Sequence, residues 1–151
     1  MNTIKKLLVR SIAFIIIVAS MAVPVFAEDS ISVILNGSEV IFTDVRPMMY
    51  EDRTLIPVRA IFEDMDCYVD WDEINQMAVI GSAEKIVFIP INDYSIQVYD
   101  IATDNQSDIE LDVPAMVINN RTMVPLRAIC EALGADVEWE SNTQTVYIDK
   151  K

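Results

Sequence analysis

The chain has 151 residues, with 24 acidic side chains against 11 basic ones and no histidine. Its net charge of −13 disfavours nucleic acid and anionic lipid, because such a surface gains nothing by releasing their counterions. The missing histidine removes Ser-His-Asp and Cys-His nucleophile pairs, imidazole general bases and imidazole metal sites.

The first 27 residues have the grammar of a signal peptide. Lys5, Lys6 and Arg10 open it, Ser11 to Val23 is an almost unbroken apolar run, and Val25-Phe26-Ala27 suits a cut after Ala27. The run is short for a membrane span, and no cysteine lies near the cut to carry a lipid. Residues 28–151 are then expected as an exported domain with no stable membrane anchor; retention of the segment as an anchor is the alternative. That domain keeps 8 of the 11 basic residues against all 24 acids, a net charge of −16. It can approach an anionic wall polymer only across a bridging divalent cation.

Ile31 to Leu35 reads as a strand entering a tight hairpin at Asn36-Gly37, with a return strand over Glu39 to Thr43. An extended piece, Pro47 to Tyr50, leads to a turn carrying Arg53-Thr54. Pro57 to Met65 follows as a short helix with proline as its first helical residue and Val58, Ile61, Phe62 and Met65 in one apolar stripe. The period then changes to two: Val69 and Trp71 alternate with Asp70 and Asp72, and a hairpin returns through Ala78 to Ile80. Lys85 to Ile91 and Ser95 to Tyr99 read as strands, Thr103 to Asp108 as a polar loop, and Ile109 to Leu111 and Ala115 to Ile118 as extended pieces. They lead to a second Arg-Thr, Arg121-Thr122. From Pro125, a stripe of Leu126, Ile129, Cys130 and Leu133 predicts a second helix capped by Gly134, and Val137, Trp139 and Val146 to Ile148 a second hairpin.

The second series copies the first. RTLIPVRAIFEDMDCYVDWD and RTMVPLRAICEALGADVEWE start 68 positions apart, and Arg53 to Ile80 matches Arg121 to Ile148 at 11 of 28 positions without a gap. That marks an internal repeat. The expectation is an α+β fold of two pseudo-repeats, about 31–80 and 85–149, each with antiparallel strands and one short helix. A unit of this size has difficulty burying a helix and a hairpin unaided, so two copies sharing a core explain the duplication.

The repeated polar residues are the binding candidates. Arg53 and Arg121, beside their threonines, are the foremost, although an arginine that hydrogen-bonds its own turn is the plainer role. Arg59 with Glu63 and Arg127 with Glu131 are each four apart on a helix, which favours an intrahelical ion pair over substrate binding. Trp71 and Trp139 could stack on carbohydrate, but their place on the apolar side of a strand favours core packing. Truncation of a tryptophan so packed would cost about 3–5 kcal/mol. The acids from Glu63 to Glu73 lack calcium-loop spacing and read as a solvated face. Cys67 and Cys130 occupy non-equivalent positions of the repeat, so a buried free thiol is favoured for Cys130 over a disulfide.

The phrase R-T-M-V-P-L-R-A-I-x-E-A-L-G-A-x-V-E-W and its earlier copy resemble the copper amine oxidase N-terminal-like domain. This stalk domain is found in exported proteins of Gram-positive bacteria. Asn119 to Ile148 fits the family pattern best; the first copy departs from it at Glu51-Asp52, in place of Asn-Gly, and at Asp66-Cys67, in place of Gly-Ala. The resemblance implies the accessory part of such oxidases. Copper, its histidine ligands and the tyrosine-derived quinone belong to a separate catalytic domain, and Asn92-Asp93-Tyr94 has the wrong order for the quinone motif. The expectation is therefore a secreted or envelope-associated, non-catalytic binding or spacer module with no cofactor. Its partner would be an envelope polymer or protein. A self-associating stalk and a hydrolase working with carboxylates alone are the alternatives.

Overall fold

The computed structural model describes residues 30–151; the expected signal segment lies outside them. Thirteen strands and two short helices follow in the order β1 (Ser32–Leu35), β2 (Ser38–Glu39), β3 (Met48–Tyr50), β4 (Arg53–Pro57), α1 (Val58–Phe62), β5 (Tyr68–Asp72), β6 (Met77–Gly81) and β7 (Lys85–Pro90). They continue as β8 (Ser95–Asp100), β9 (Asn105–Glu110), β10 (Met116–Ile118), β11 (Arg121–Pro125), α2 (Leu126–Ala132), β12 (Asp136–Glu140) and β13 (Thr145–Asp149). The fold is α+β, mostly antiparallel sheet with two short helices.

Three sheets form, ordered β12-β13-β1-β2, β10-β11-β4-β3 and β5-β6-β7-β8-β9. The middle sheet organises the molecule. Its ladder joins β4 to β11 through Leu55 opposite Pro125, Ile56 opposite Val124 and Pro57 opposite Met123. Ile56 and Val124 are themselves 68 positions apart, so the ladder is centred on a pair of corresponding residues. Side chains on this ladder alternate between faces. Ile56 and Val124 join the main core with Ile61, Phe62, Ile129 and Cys130 from the helices. Leu55 and Met123 point to a second, smaller core with Val113, against which Val45 packs.

Both helices enter from a proline that ends the preceding strand rather than from one inside the helix. Pro57 has φ −63° and ψ 121°, Pro125 φ −62° and ψ 108°, both extended. The fixed proline φ serves strand and helix alike, and the ladder between β4 and β11 decides for the strand. Both helices leave through the same left-handed cap. Gly134 has φ +89° and Asp66 has φ +58°. The amide of each bonds the carbonyl three residues back, Asp66 to Glu63 and Gly134 to Glu131. The next amide bonds five back, Cys67 to Phe62 and Ala135 to Cys130. This is the Schellman arrangement at both ends. Aspartate in place of glycine keeps the motif, but the helix it closes is shorter, five residues against seven. Lysines also cap the helix ends: Lys150 Nζ donates to the Met65 carbonyl (2.9 Å) and Lys85 Nζ to the Ala132 carbonyl (3.1 Å).

Four expectations are corrected. Arg53-Thr54 and Arg121-Thr122 do not lie in turns; they begin β4 and β11. The turns are the preceding pairs Glu51-Asp52 and Asn119-Asn120, all at positive φ, as a two-residue hairpin needs. The polar stretch assigned to a loop, Thr103 to Asp108, mostly forms β9, an edge strand paired with β8 from Asp100 opposite Asn105 to Ser95 opposite Glu110. It carries almost no buried side chain, so no hydrophobic alternation announces it. The return strand after Asn36-Gly37 is two residues long, not five, because Val40 leaves the ladder after its amide bonds the Val33 carbonyl. Finally, pairing is not wholly antiparallel. β1 runs parallel to β13, Val33 opposite Val146 and Leu35 opposite Ile148. The N-terminal strand thus extends the C-terminal hairpin, whereas β7 holds the corresponding place beside β6.

Candidate functional site

Arg53 and Arg121 stand at opposite ends of the β4–β11 ladder, and the structure gives each an unforeseen partner. Arg53 Nε donates to Asp112 Oδ2 at 2.7 Å, and its Nη2 lies 2.5 Å from the same oxygen. Arg121 Nε donates to Asp44 Oδ2 at 2.8 Å, with Nη2 at 2.5 Å. Nη1 of each arginine donates to the carbonyl of the residue before it, Asp52 (3.1 Å) or Asn120 (3.2 Å). The plain reading, an arginine bonding its own turn, is therefore correct as far as it goes. Asp44 and Asp112 also lie 68 positions apart and each precedes a valine of the small core. That coincidence, upstream of the obvious repeat, was the available signal for them. Asp44 also accepts a short hydrogen bond from the Val45 amide; that bond and the Arg121 guanidinium hold its carboxyl below the usual carboxylate range.

Two open grooves flank the ladder, of about 840 and 1010 Å³. The first joins Arg53 and Thr54 of β4 to Arg127 and Glu131 of α2 and Trp139 of β12. The second joins Arg121 and Thr122 of β11 to Arg59 of α1, Glu63 just after that helix, and Trp71 of β5. Of the 18 residues lining the second groove, all but Glu73 and Gln76 have the residue 68 positions away lining the first. Antiparallel pairing of β4 with β11 is the cause. It brings the start of each Arg-Thr strand beside the helix that follows the other one, so each groove draws on both halves of the sequence. Arg53 and Arg121 are consequently in separate grooves and do not share one site.

The twin grooves differ in detail. From α1, Arg59 Nη1 reaches Glu63 Oε1 at 3.2 Å, the expected pairing of residues four apart, with Glu63 at the helix's C-terminal end. On α2, Arg127 forms no ion pair among the described residues, contrary to expectation, and both it and Glu131 face solvent. Trp71 is half-buried and packs on the main core. Trp139 is 38% exposed, which overturns the expectation that both tryptophans are core residues. Both lie on the outermost strand of their sheet, opposite Ala78 and Val146 respectively. Alternation along a strand shows which face a side chain takes, not how much chain covers that face.

The remaining candidates have local tasks. Asp72 Oδ1 accepts the amides of Ile74 (2.9 Å) and Asn75 (3.0 Å), and Oδ2 accepts the Asn75 side-chain amide (2.7 Å), so this acid shapes the β5–β6 turn. The Asn75 bonds hold its carboxyl below the ordinary range. Among the described residues, no group of three or more acids and cysteines is arranged to hold a metal ion. Cys67 and Cys130 are buried, unpaired thiols, and desolvation pushes both thiols up. A buried thiol so shifted is a packing group, not a nucleophile.

The fold and grooves define a small α+β module with two corresponding faces. The sequence matches the copper amine oxidase N-terminal domain over residues 34–148, and the chain belongs to that family. That domain is a non-catalytic part of the amine oxidases. Comparison with curated proteins gives no match.

Proposed function

We propose that this protein is an exported, non-catalytic module of the bacterial cell envelope, with no amine oxidase activity. In this reading it binds an envelope polymer or protein through its grooves, and the chain is a duplicated unit of two copies. The observation that carries it is the pair of corresponding grooves, each crossing from the Arg-Thr strand of one copy to the helix and tryptophan of the other. An open groove with charged groups at its rim and an aromatic side chain is a surface for recognition. The lack of histidine, and of any acid pair set apart from the others, weighs against turnover.

Co-sedimentation of the purified protein with isolated Gram-positive cell walls, with and without calcium, tests this reading. Binding in either condition is expected; dependence on calcium would show how so acidic a chain approaches an anionic polymer. No binding in either condition would overturn the wall assignment. A tight oligomer in sedimentation velocity would then make the protein a self-associating stalk, and hydrolysis of wall polymers lost on changing one or two acids would make it an enzyme.

A further inference from the structure

We infer that the grooves have unequal tasks, and that the Arg127–Trp139 groove takes an uncharged pyranose chain on Trp139, while the Arg59–Trp71 groove, its tryptophan packed on the main core and its arginine paired with Glu63, does not. The inference rests on the binding role proposed above and names the ligand class of one groove.

Matched positions make the comparison direct. Where one groove has Trp71 packed against the main core, the other has Trp139 at 38% exposure. Where one has Arg59 held by Glu63, the other has Arg127 without an ion pair among the described residues. Val137 and Val146 add apolar surface beside Trp139 and have no counterpart in the Trp71 groove. An indole ring with an unengaged guanidinium and a carboxylate nearby matches a sugar ring. The C–H face of a pyranose is apolar and suits an aromatic surface, while its hydroxyls both donate and accept hydrogen bonds. Arg127 can only donate and ionised Glu131 can only accept, so together they serve both functions of a hydroxyl pair.

The charges select an uncharged sugar. Arg53 is engaged with Asp112, and Lys85 with the Ala132 carbonyl. The groove lining as a whole sets four acids, Asp52, Glu110, Asp112 and Glu131, against three bases, Arg53, Lys85 and Arg127. An anionic saccharide would meet a net negative surface on a chain of net charge −13 and be repelled.

The chain has two tryptophans, so the Trp71→Phe variant leaves Trp139 as the sole indole reporter. Titration of this variant with chitotetraose and cellotetraose, as uncharged probes, and with tetragalacturonate, as an anionic one, tests the proposal. A saturable change in Trp139 fluorescence with at least one uncharged probe, and none with tetragalacturonate, is expected. By calorimetry on the otherwise unaltered protein, Trp139→Ala should weaken binding about tenfold or more, as loss of an aromatic anchor does. Arg127→Ala, on an exposed helix face, should also weaken it. Absence of binding by both uncharged probes, tighter binding of tetragalacturonate, or unchanged affinity in a Trp139→Ala protein with native circular dichroism would each overturn the inference. Wall binding without saccharide binding would overturn this inference alone, and saccharide binding without wall binding would overturn only the wall assignment.

Discussion

Arg53 holds Asp112 from the far half of the sequence, 59 residues away, by two contacts to one carboxylate oxygen. Arg121 holds Asp44 in the same manner in the opposite sense. The two clamps tie the segments bearing Val45 and Val113 down beside the small core around Leu55 and Met123. The arginines at the foremost binding positions are thus fasteners of the fold as well as groove-lining residues.

Both pairs are substantially exposed, with side chains 49–69% accessible, so each is worth little. A double-mutant cycle with Arg53→Ala and Asp112→Ala should give a coupling of about 0.5 kcal/mol, diminishing at high salt. The cycle pairing Arg53→Ala with Asp44→Ala should give about zero, since those residues make no contact. Urea unfolding supplies both numbers.

The matched helix caps offer a comparison within one chain. Asp66→Gly should stabilise by about 1 kcal/mol, because glycine enters the left-handed region without the penalty of a side chain. Gly134→Ala should destabilise by about 1 kcal/mol. A Cβ at Gly134 would meet nothing within 4 Å, so the loss is conformational and not steric. Thermal unfolding of the two variants would decide, and equal signs would overturn the account.

The tryptophans should part company under truncation. Trp71→Ala removes a side chain packed on the main core and should cost about 3 kcal/mol. Trp139→Ala should cost about 1 kcal/mol, because much of that ring already faces water. Equal losses in urea unfolding would mean that Trp139 is a packing residue after all.

Acid should weaken particular turns. Asp44, Asp72 and Asp100 are held below the ordinary carboxylate range, Asp44 chiefly by the Val45 amide and Arg121, Asp72 by Asn75 and Asp100 by Thr103. A depressed folded-state pKa gives stability that is present above the unfolded value, about 3.9, and lost as pH falls through the folded one. Asp72→Ala should therefore destabilise the protein at pH 7. The gap from the unaltered protein should narrow below about pH 4, where the unfolded state takes up a proton that folded Asp72 still resists, and close as pH falls through the lower folded-state value. A gap that stays constant from pH 7 to pH 2.5 in guanidinium unfolding would show that the charge of Asp72 plays no part.

The sequence by itself determined the hairpin elements, the two helices, the α+β class and the family, because each is written in short-range chemistry. Asn36-Gly37 at positive φ makes a turn, the Val58 and Leu126 stripes make helices, and the Val-x-Trp alternations make strands. It also marked Arg53 and Arg121, and the 68-residue period reached as far as Asp44 and Asp112. The tertiary structure alone decided what faces what. The antiparallel meeting of β4 and β11 crosses the two halves, so that each arginine finds the other half's aspartate and each groove is shared. β9, with no buried face to impose a period, exists because β8 offers it an edge. Trp71 and Trp139 occupy the same place in the repeat and differ in exposure, because coverage depends on neighbours supplied by distant chain. Local propensity fixes the conformation of a residue, but pairing and burial are set by segments far away in sequence.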